Sequence, residues 1–255
     1  MDTKFSSILI TGASSGIGAA IALELAAPNV ILHLTARNEE RLNEVKAQCS
    51  TKGASVYTSN IDVTQQETLA EALKQWDAAN PFDLIIANAG IAGNHINTPN
   101  PATRLRAINA VNVTGVLNTL EPILDAMIQR KKGHIGLVGS MASFLPLPPS
   151  PAYSASKSAI LTWGDAIRPS LKKNNIHLSV ICPGFVRSRI TDANNYTMPF
   201  FMEADKAAQI IISGLSRKKA RIAFPWPMYF ALSFLSILPR PLQSWIVTRM
   251  PHKED

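Results

Sequence analysis

The sequence predicts a doubly wound α/β domain, a parallel seven-stranded sheet with helices on both faces. Three observations carry this expectation. Short β-rich runs alternate with amphipathic helical stretches along the chain, and parallel strands need a crossover, which at these lengths is a helix. The first run leads straight into a glycine-rich turn and then a helical stretch. No internal repeat, low-complexity segment or linker divides the chain before residue 225. A chain of 255 residues, 46% of them hydrophobic, can bury a large core, and α/β folds of this size commonly form one domain. We expect that domain over 1–224 and an apolar extension over 225–255.

Taken in order, strands are expected at Ser7–Thr11, Val30–Thr35, Ser55–Ser59, Leu84–Ala87, His134–Ser140, His177–Cys182 and Ala220–Phe224. A helix over Ala19–Ala27 stops at Pro28-Asn29. Leu42, Val45 and Cys49, then Leu69, Leu73 and Trp76, recur at the three-to-four spacing of helices with one buried face.

Composition narrows the setting. Cys49 and Cys182 lie far apart and follow no metal spacing, which fits buried or free thiols in a reducing compartment. We expect no bound metal. Ile8-Leu9-Ile10 is too short for a secretory or membrane segment, so a cytoplasmic protein is expected. The net charge of +7 admits an anionic ligand or an acidic lipid surface. No basic stripe or aromatic stacking set accompanies it, so nucleic acid is not an expected partner.

Tyr153-Ser154-Ala155-Ser156-Lys157 carries the chemistry. A tyrosine and a lysine four apart on a helix share a face. A nearby ammonium favours the phenolate and draws a phenol from its ordinary pKa of about 10 toward the working range, so Lys157 would tune Tyr153 as a proton carrier. Ser150-Pro151 reads as N-cap and first residue of that helix. Ser140 ends the expected fifth strand, at the sheet edge where α/β folds bind ligands. Between them, the proline-rich Phe144–Pro149 should form a stiff apolar wall.

The turn Thr11-Gly12-Ala13-Ser14-Ser15-Gly16-Ile17-Gly18 would let the backbone approach a pyrophosphate facing the helix N-terminus. The second strand ends Thr35-Ala36-Arg37. A carboxylate there would bind the ribose 2′-hydroxyl of NAD, whereas an arginine accommodates the 2′-phosphate of NADP. NADP(H) is therefore the expected cofactor, with NAD(H) admitted.

Taken with Tyr153 and Lys157, the Gly-x-x-x-Gly-x-Gly spacing resembles the classical short-chain dehydrogenase/reductase family over Ser7 to Ser188, a Rossmann-type fold. The resemblance implies further roles. Asp62 and Val63 would contact the adenine, although Asp62 also reads as a helix cap. Asn88, Ala89 and Gly90 would brace the sheet and line the cofactor, with Ala87 replacing the family's first asparagine. Asn112 would hold a water linking the active-site lysine to solvent. Pro183, Gly184 and Val186 would meet the nicotinamide, and Ser188 stands where a threonine is usual. Ser14, Ser15, Ile17 and Gly18 belong to the cofactor turn. Arg189–Met202, with Met198, Phe200 and Phe201, falls at the family's substrate loop and suggests an apolar substrate.

The implied activity is hydride transfer between a nicotinamide and a carbonyl or secondary alcohol, with Asn112, Ser140, Tyr153 and Lys157 as the catalytic set. The family also implies a homodimer or homotetramer. A non-redox epimerase or dehydratase of the same fold, and a non-catalytic NADP-binding regulator, remain alternatives. At the carboxyl end the apolar Met228–Leu238 is too short to span a bilayer as a helix. With Trp245, Arg240 and Arg249 nearby, 225–250 reads as a lid, an oligomer contact or a peripheral membrane contact at the inner face of a membrane.

Overall fold

The centre of the sheet is built on apolar runs such as Ile8-Leu9-Ile10 and Leu84-Ile85-Ile86, buried because helices cover both faces. The computed structural model describes residues 5–93, 96–192 and 198–249. Its elements run β1 (Ser7–Thr11), α1 (Gly16–Leu25), β2 (Ile31–Thr35), α2 (Glu39–Thr51), β3 (Ser55–Ser59), α3 (Gln66–Ala79) and β4 (Leu84–Ala87). They continue with α4 (Pro101–Asn109), α5 (Gly115–Arg130), β5 (Gly133–Val138), α6 (Pro151–Lys173) and β6 (Ile176–Pro183). Last come α7 (Arg189–Asp192), α8 (Ala204–Ser216), β7 (Arg221–Phe224), α9 (Trp226–Ser236) and α10 (Arg240–Val247).

The seven strands are all parallel in the order β3-β2-β1-β4-β5-β6-β7. The strand order reverses between β1 and β4, so a crevice opens beyond their carboxyl ends. Alternate residues of the central strands feed two cores. Ile8 and Ile10 join Ile21, Leu25 and Ile211 on one face, while Leu9 and Ile85 join Leu73, Ile123 and Ile160 on the other.

Three of the seven predicted strands have the observed bounds. The fifth ends early, because the chain turns at Gly139 and Ser140 becomes the cap of a short 3-10 turn over Met141–Ser143. The expected capping at Ser150 is only positional. Pro151 opens α6, but the Ser150 side chain makes no cap bond. Asp62 likewise does not cap α3; its carboxylate accepts from the Thr64 amide and hydroxyl, both at 2.9 Å, and shapes the turn ahead of that helix.

One polar group in this half departs from the pattern. His33, 1% exposed on β2, sits among Tyr57, Trp76 and Phe82, with ring centroids at 5.2, 4.9 and 5.1 Å. Neither of its ring nitrogens has a partner among the described residues. Burial lowers its pKa to about 4, against a smaller opposing pull from Asp77.

Candidate active site

The crevice at the switch point is a cleft of about 600 Å³. One end is built by the glycine turn. Gly12 adopts φ +67°, a left-handed conformation natural to glycine. Gly18 is required by contact instead, since a Cβ there would stand 2.5 Å from both Asn88 Nδ2 and the Gly12 carbonyl. Asn88 ties the two strand ends together. Its Nδ2 donates to the carbonyls of Thr11 at 2.9 Å and Gly12 at 3.1 Å, and the amides of Asn88 and Ala89 donate to Thr11 Oγ1.

The start of α1 is left open. Ser15 occupies its N-cap without a side-chain cap bond, and the first turn holds no acidic residue. The amides there remain available to an anion. Farther along, Arg37, Asn38, Arg41, Asp62 and Val63 line the cleft. Arg37 is exposed and pairs loosely with Asp62 at 3.6 Å. Arg41 has a buried Nε without a partner among the described residues. These groups suit a dinucleotide: open amides for a pyrophosphate, and Arg37 and Arg41 on the cleft wall for a further phosphate.

The reacting end lies at the edges of β5 and β6. Ser140, Tyr153, Lys157, Pro183, Gly184, Val186 and Ser188 all line it, so residues far apart in sequence converge on one cleft. The Ser140 hydroxyl accepts from the Ala142 amide at 3.1 Å and acts to lower the pKa of the neighbouring Tyr153 phenol. Lys157 Nζ donates to the Val138 carbonyl at 2.8 Å and stands 5.8 Å from the Tyr153 ring centroid.

Asn112, expected to hold a water of the proton relay, and Gly18, expected in the cofactor turn, lie just outside the cleft. Both are buried behind it, and neither forms part of its wall. Asn112 sits in a π-helical turn, Ala110–Thr114, between α4 and α5. Its Oδ1 accepts from the Ile91 amide at 2.8 Å, and its Nδ2 donates to the Ile91 carbonyl at 2.9 Å and to Ser156 Oγ at 3.0 Å. Ser156 in turn donates to the Tyr153 carbonyl at 2.8 Å. Asn112 thus clamps the loop after β4 to the helix bearing Tyr153.

The family model described as short chain dehydrogenase matches residues 6–199. The chain belongs to this family. An uncharacterized oxidoreductase of Myxococcus xanthus is 36% identical over 242 residues, covering 94% of this chain and 96% of that protein. An uncharacterized oxidoreductase of Mycobacterium tuberculosis is 30% identical over 86% of this chain and 88% of its own. Among solved structures, a short-chain dehydrogenase from Sphingobium yanoikuyae in complex with NADPH superposes with a TM-score of 0.80 at 22% identity, over 98% of each chain. The bulky-bulky ketone specific alcohol dehydrogenase from Comamonas testosteroni gives 0.78 at 22% identity, over 98% of this chain and 96% of its own. The protein is an oxidoreductase of the NAD(P)-binding short-chain dehydrogenase family, and both solved structures share its fold.

In this short-chain dehydrogenase the electrostatics at the reacting end run against one expectation. Burial raises the Tyr153 phenol above its ordinary pKa, and the Ser140 hydrogen bond only partly offsets that. The Lys157 ammonium is held by the Val138 carbonyl, and at Tyr153 burial outweighs what would lower the phenol. Burial also lowers Lys157 itself to about 8, which leaves it mostly cationic at neutral pH. Arg41 was missed by sequence reasoning; its signal was its place in the first turn of α2, just after the end of β2 that carries Arg37. Of the expected substrate loop, residues 193–197 lie outside the described residues. Met198, Phe200 and Phe201 do not line the cleft, and Phe201 instead lies against the Arg187 guanidinium, 5.3 Å from its ring centroid.

Proposed function

We propose that this short-chain dehydrogenase is an NADP(H)-preferring reductase of apolar ketones or aldehydes, with Tyr153 as the proton donor. The observation that carries the reading is the convergence of Ser140, Tyr153 and Lys157 on one wall of the cleft that also holds the glycine turn. A nicotinamide dinucleotide bound there would supply the hydride.

Gly12, Ser14, Ser15, Gly16 and Ile17 would hold its pyrophosphate, with Gly18 allowing the turn to close. Asp62, Val63, Asn88, Ala89 and Gly90 would line the adenosine side, and Pro183, Gly184, Val186 and Ser188 the nicotinamide side. Ser140 orients the carbonyl oxygen. Tyr153, kept protonated by burial, donates from its phenol oxygen to that carbonyl. The Lys157 ammonium favours the phenolate left behind, and Asn112 holds the Tyr153 helix in register through Ser156.

The preference for NADP(H) rests on Arg37 and Arg41, which both line the cleft. The NADPH and ketone named for the two solved relatives agree with this reading. NADPH oxidation followed by ultraviolet absorbance over a diverse panel of ketones and aldehydes, with NADH in parallel, tests it. Arg37→Ala and Arg41→Ala should each weaken NADPH about tenfold or more, the scale of a lost charge-assisted hydrogen bond, and leave NADH unchanged. Equal use of both cofactors refutes the preference. Tight NADPH binding without turnover of any substrate refutes the reaction.

A further inference from the structure

The last two helices expose what the rest of the chain hides. Trp226, Phe230, Phe234 and Ile237 follow one face of α9 and its end, with exposures of 71, 64, 63 and 76%. The helix cannot roll to bury them, because its other side is engaged. The Tyr229 ring packs edge-on against Phe144 at 5.5 Å, and Met228 abuts Gly184. α10 is tied to α9 as one unit: Gln243 Nε2 donates to the carbonyls of Ser236 at 2.9 Å and Leu238 at 2.7 Å. It adds Leu242 and Trp245 to the exposed apolar surface, at 43 and 56%.

Charge distinguishes the partner. α9 contains no charged residue, and no aspartate or glutamate occurs anywhere from Lys206 to Lys253. Arg240 and Arg249 are exposed at the two ends of α10, the latter with its guanidinium 4.2 Å from the Trp245 ring centroid. A contact between soluble proteins usually surrounds its apolar centre with a mixed polar rim. An apolar ridge with exposed tryptophans and with Arg240 and Arg249 at the ends of α10 matches the interface of an anionic bilayer, where indoles sit at headgroup level and arginines meet lipid phosphates.

We propose that α9 and α10 dock this protein on the surface of a bilayer rich in anionic lipid, lying in its plane. The test is flotation of the full chain with phosphatidylcholine vesicles, with and without about one-third phosphatidylglycerol. The wild type floats with the anionic vesicles and about tenfold less with phosphatidylcholine alone. The Phe230→Ser/Phe234→Ser variant loses about tenfold or more of its binding, with its lipid-free mass by light scattering and its circular dichroism unchanged. Should that variant fail to fold, quenching of wild-type tryptophan fluorescence by brominated lipids reads the same contact. Absence of flotation or of quenching, or equal flotation of variant and wild type, overturns the proposal. A ridge variant that instead halves the lipid-free mass assigns the surface to a second copy of the chain and overturns it as well. No readout depends on turnover or on the cofactor, so the outcome is separate from that of the proposed reaction.

Discussion

The glycine-turn half of the molecule and its carboxyl-terminal helix pair use apolar residues in opposite ways. From β1 to β4 the large apolar side chains are drawn into two cores, and the polar groups at the strand ends are tied to one another by Asn88 and Thr11. In α9 no residue is buried, although the helix is almost wholly apolar. Apolar composition alone therefore does not say where a segment sits. The neighbours do, because hydrophobic stabilisation follows area removed from water and not residue type.

The largest effect that would sharpen this contrast lies at the reacting end. Tyr153→Phe should lower turnover by roughly 10² to 10⁴, the usual cost of a lost general acid, with NADPH affinity nearly unchanged. Steady-state rates beside a fluorescence titration of NADPH check it. A fully active variant removes Tyr153 from the mechanism.

Next in size is the acid response of His33. Its pKa of about 4 in the fold, against an ordinary 6.5, means that the unfolded chain takes up the proton first. Stability is complete above pH 6.5 and falls as pH drops toward 4, by about 3 kcal/mol from this group. His33→Phe keeps the aromatic packing and removes the titration. Urea melts at neutral pH and near pH 4.5 should show the wild type losing more stability than the variant; parallel losses would exclude His33 as a source.

Gly18→Ala comes third. The added carbon meets a backbone carbonyl and Asn88 at 2.5 Å, so overpacking should cost about 2 kcal/mol and weaken cofactor binding, both readable in thermal melts with and without NADPH. The smallest effect is expected on α9. Phe230→Ser or Phe234→Ser should alter urea stability by about 0.5 kcal/mol or less, as at other exposed positions. A large loss there would show that the ridge is packed in solution and would dissolve the comparison.

Much of the fold was legible because the signals are local. Short apolar runs such as Ile8-Leu9-Ile10, bounded by turn residues, read as strands buried on both faces, and the positions of glycine and proline mark the turns. The motif residues of the cleft were legible for the same reason. Arg41 was not, since a surface arginine and a cleft arginine look alike until β2 and the loop holding Asp62 are brought together. The fifth strand was overextended because Ser140 has strand-like dihedrals, φ −167° and ψ 161°, yet caps a turn.

The order of residue types determined the parallel sheet, the glycine turn and the Tyr153–Lys157 spacing, because each depends on neighbours within a few positions. Tertiary structure alone decided the electrostatic outcome. The Tyr153 phenol stands above its ordinary pKa because burial outweighs the lowering from Ser140, a balance that depends on the packing around it. The exposure of α9 was decided in the same way, by the packing of Tyr229 and Met228 that holds the opposite face toward solvent.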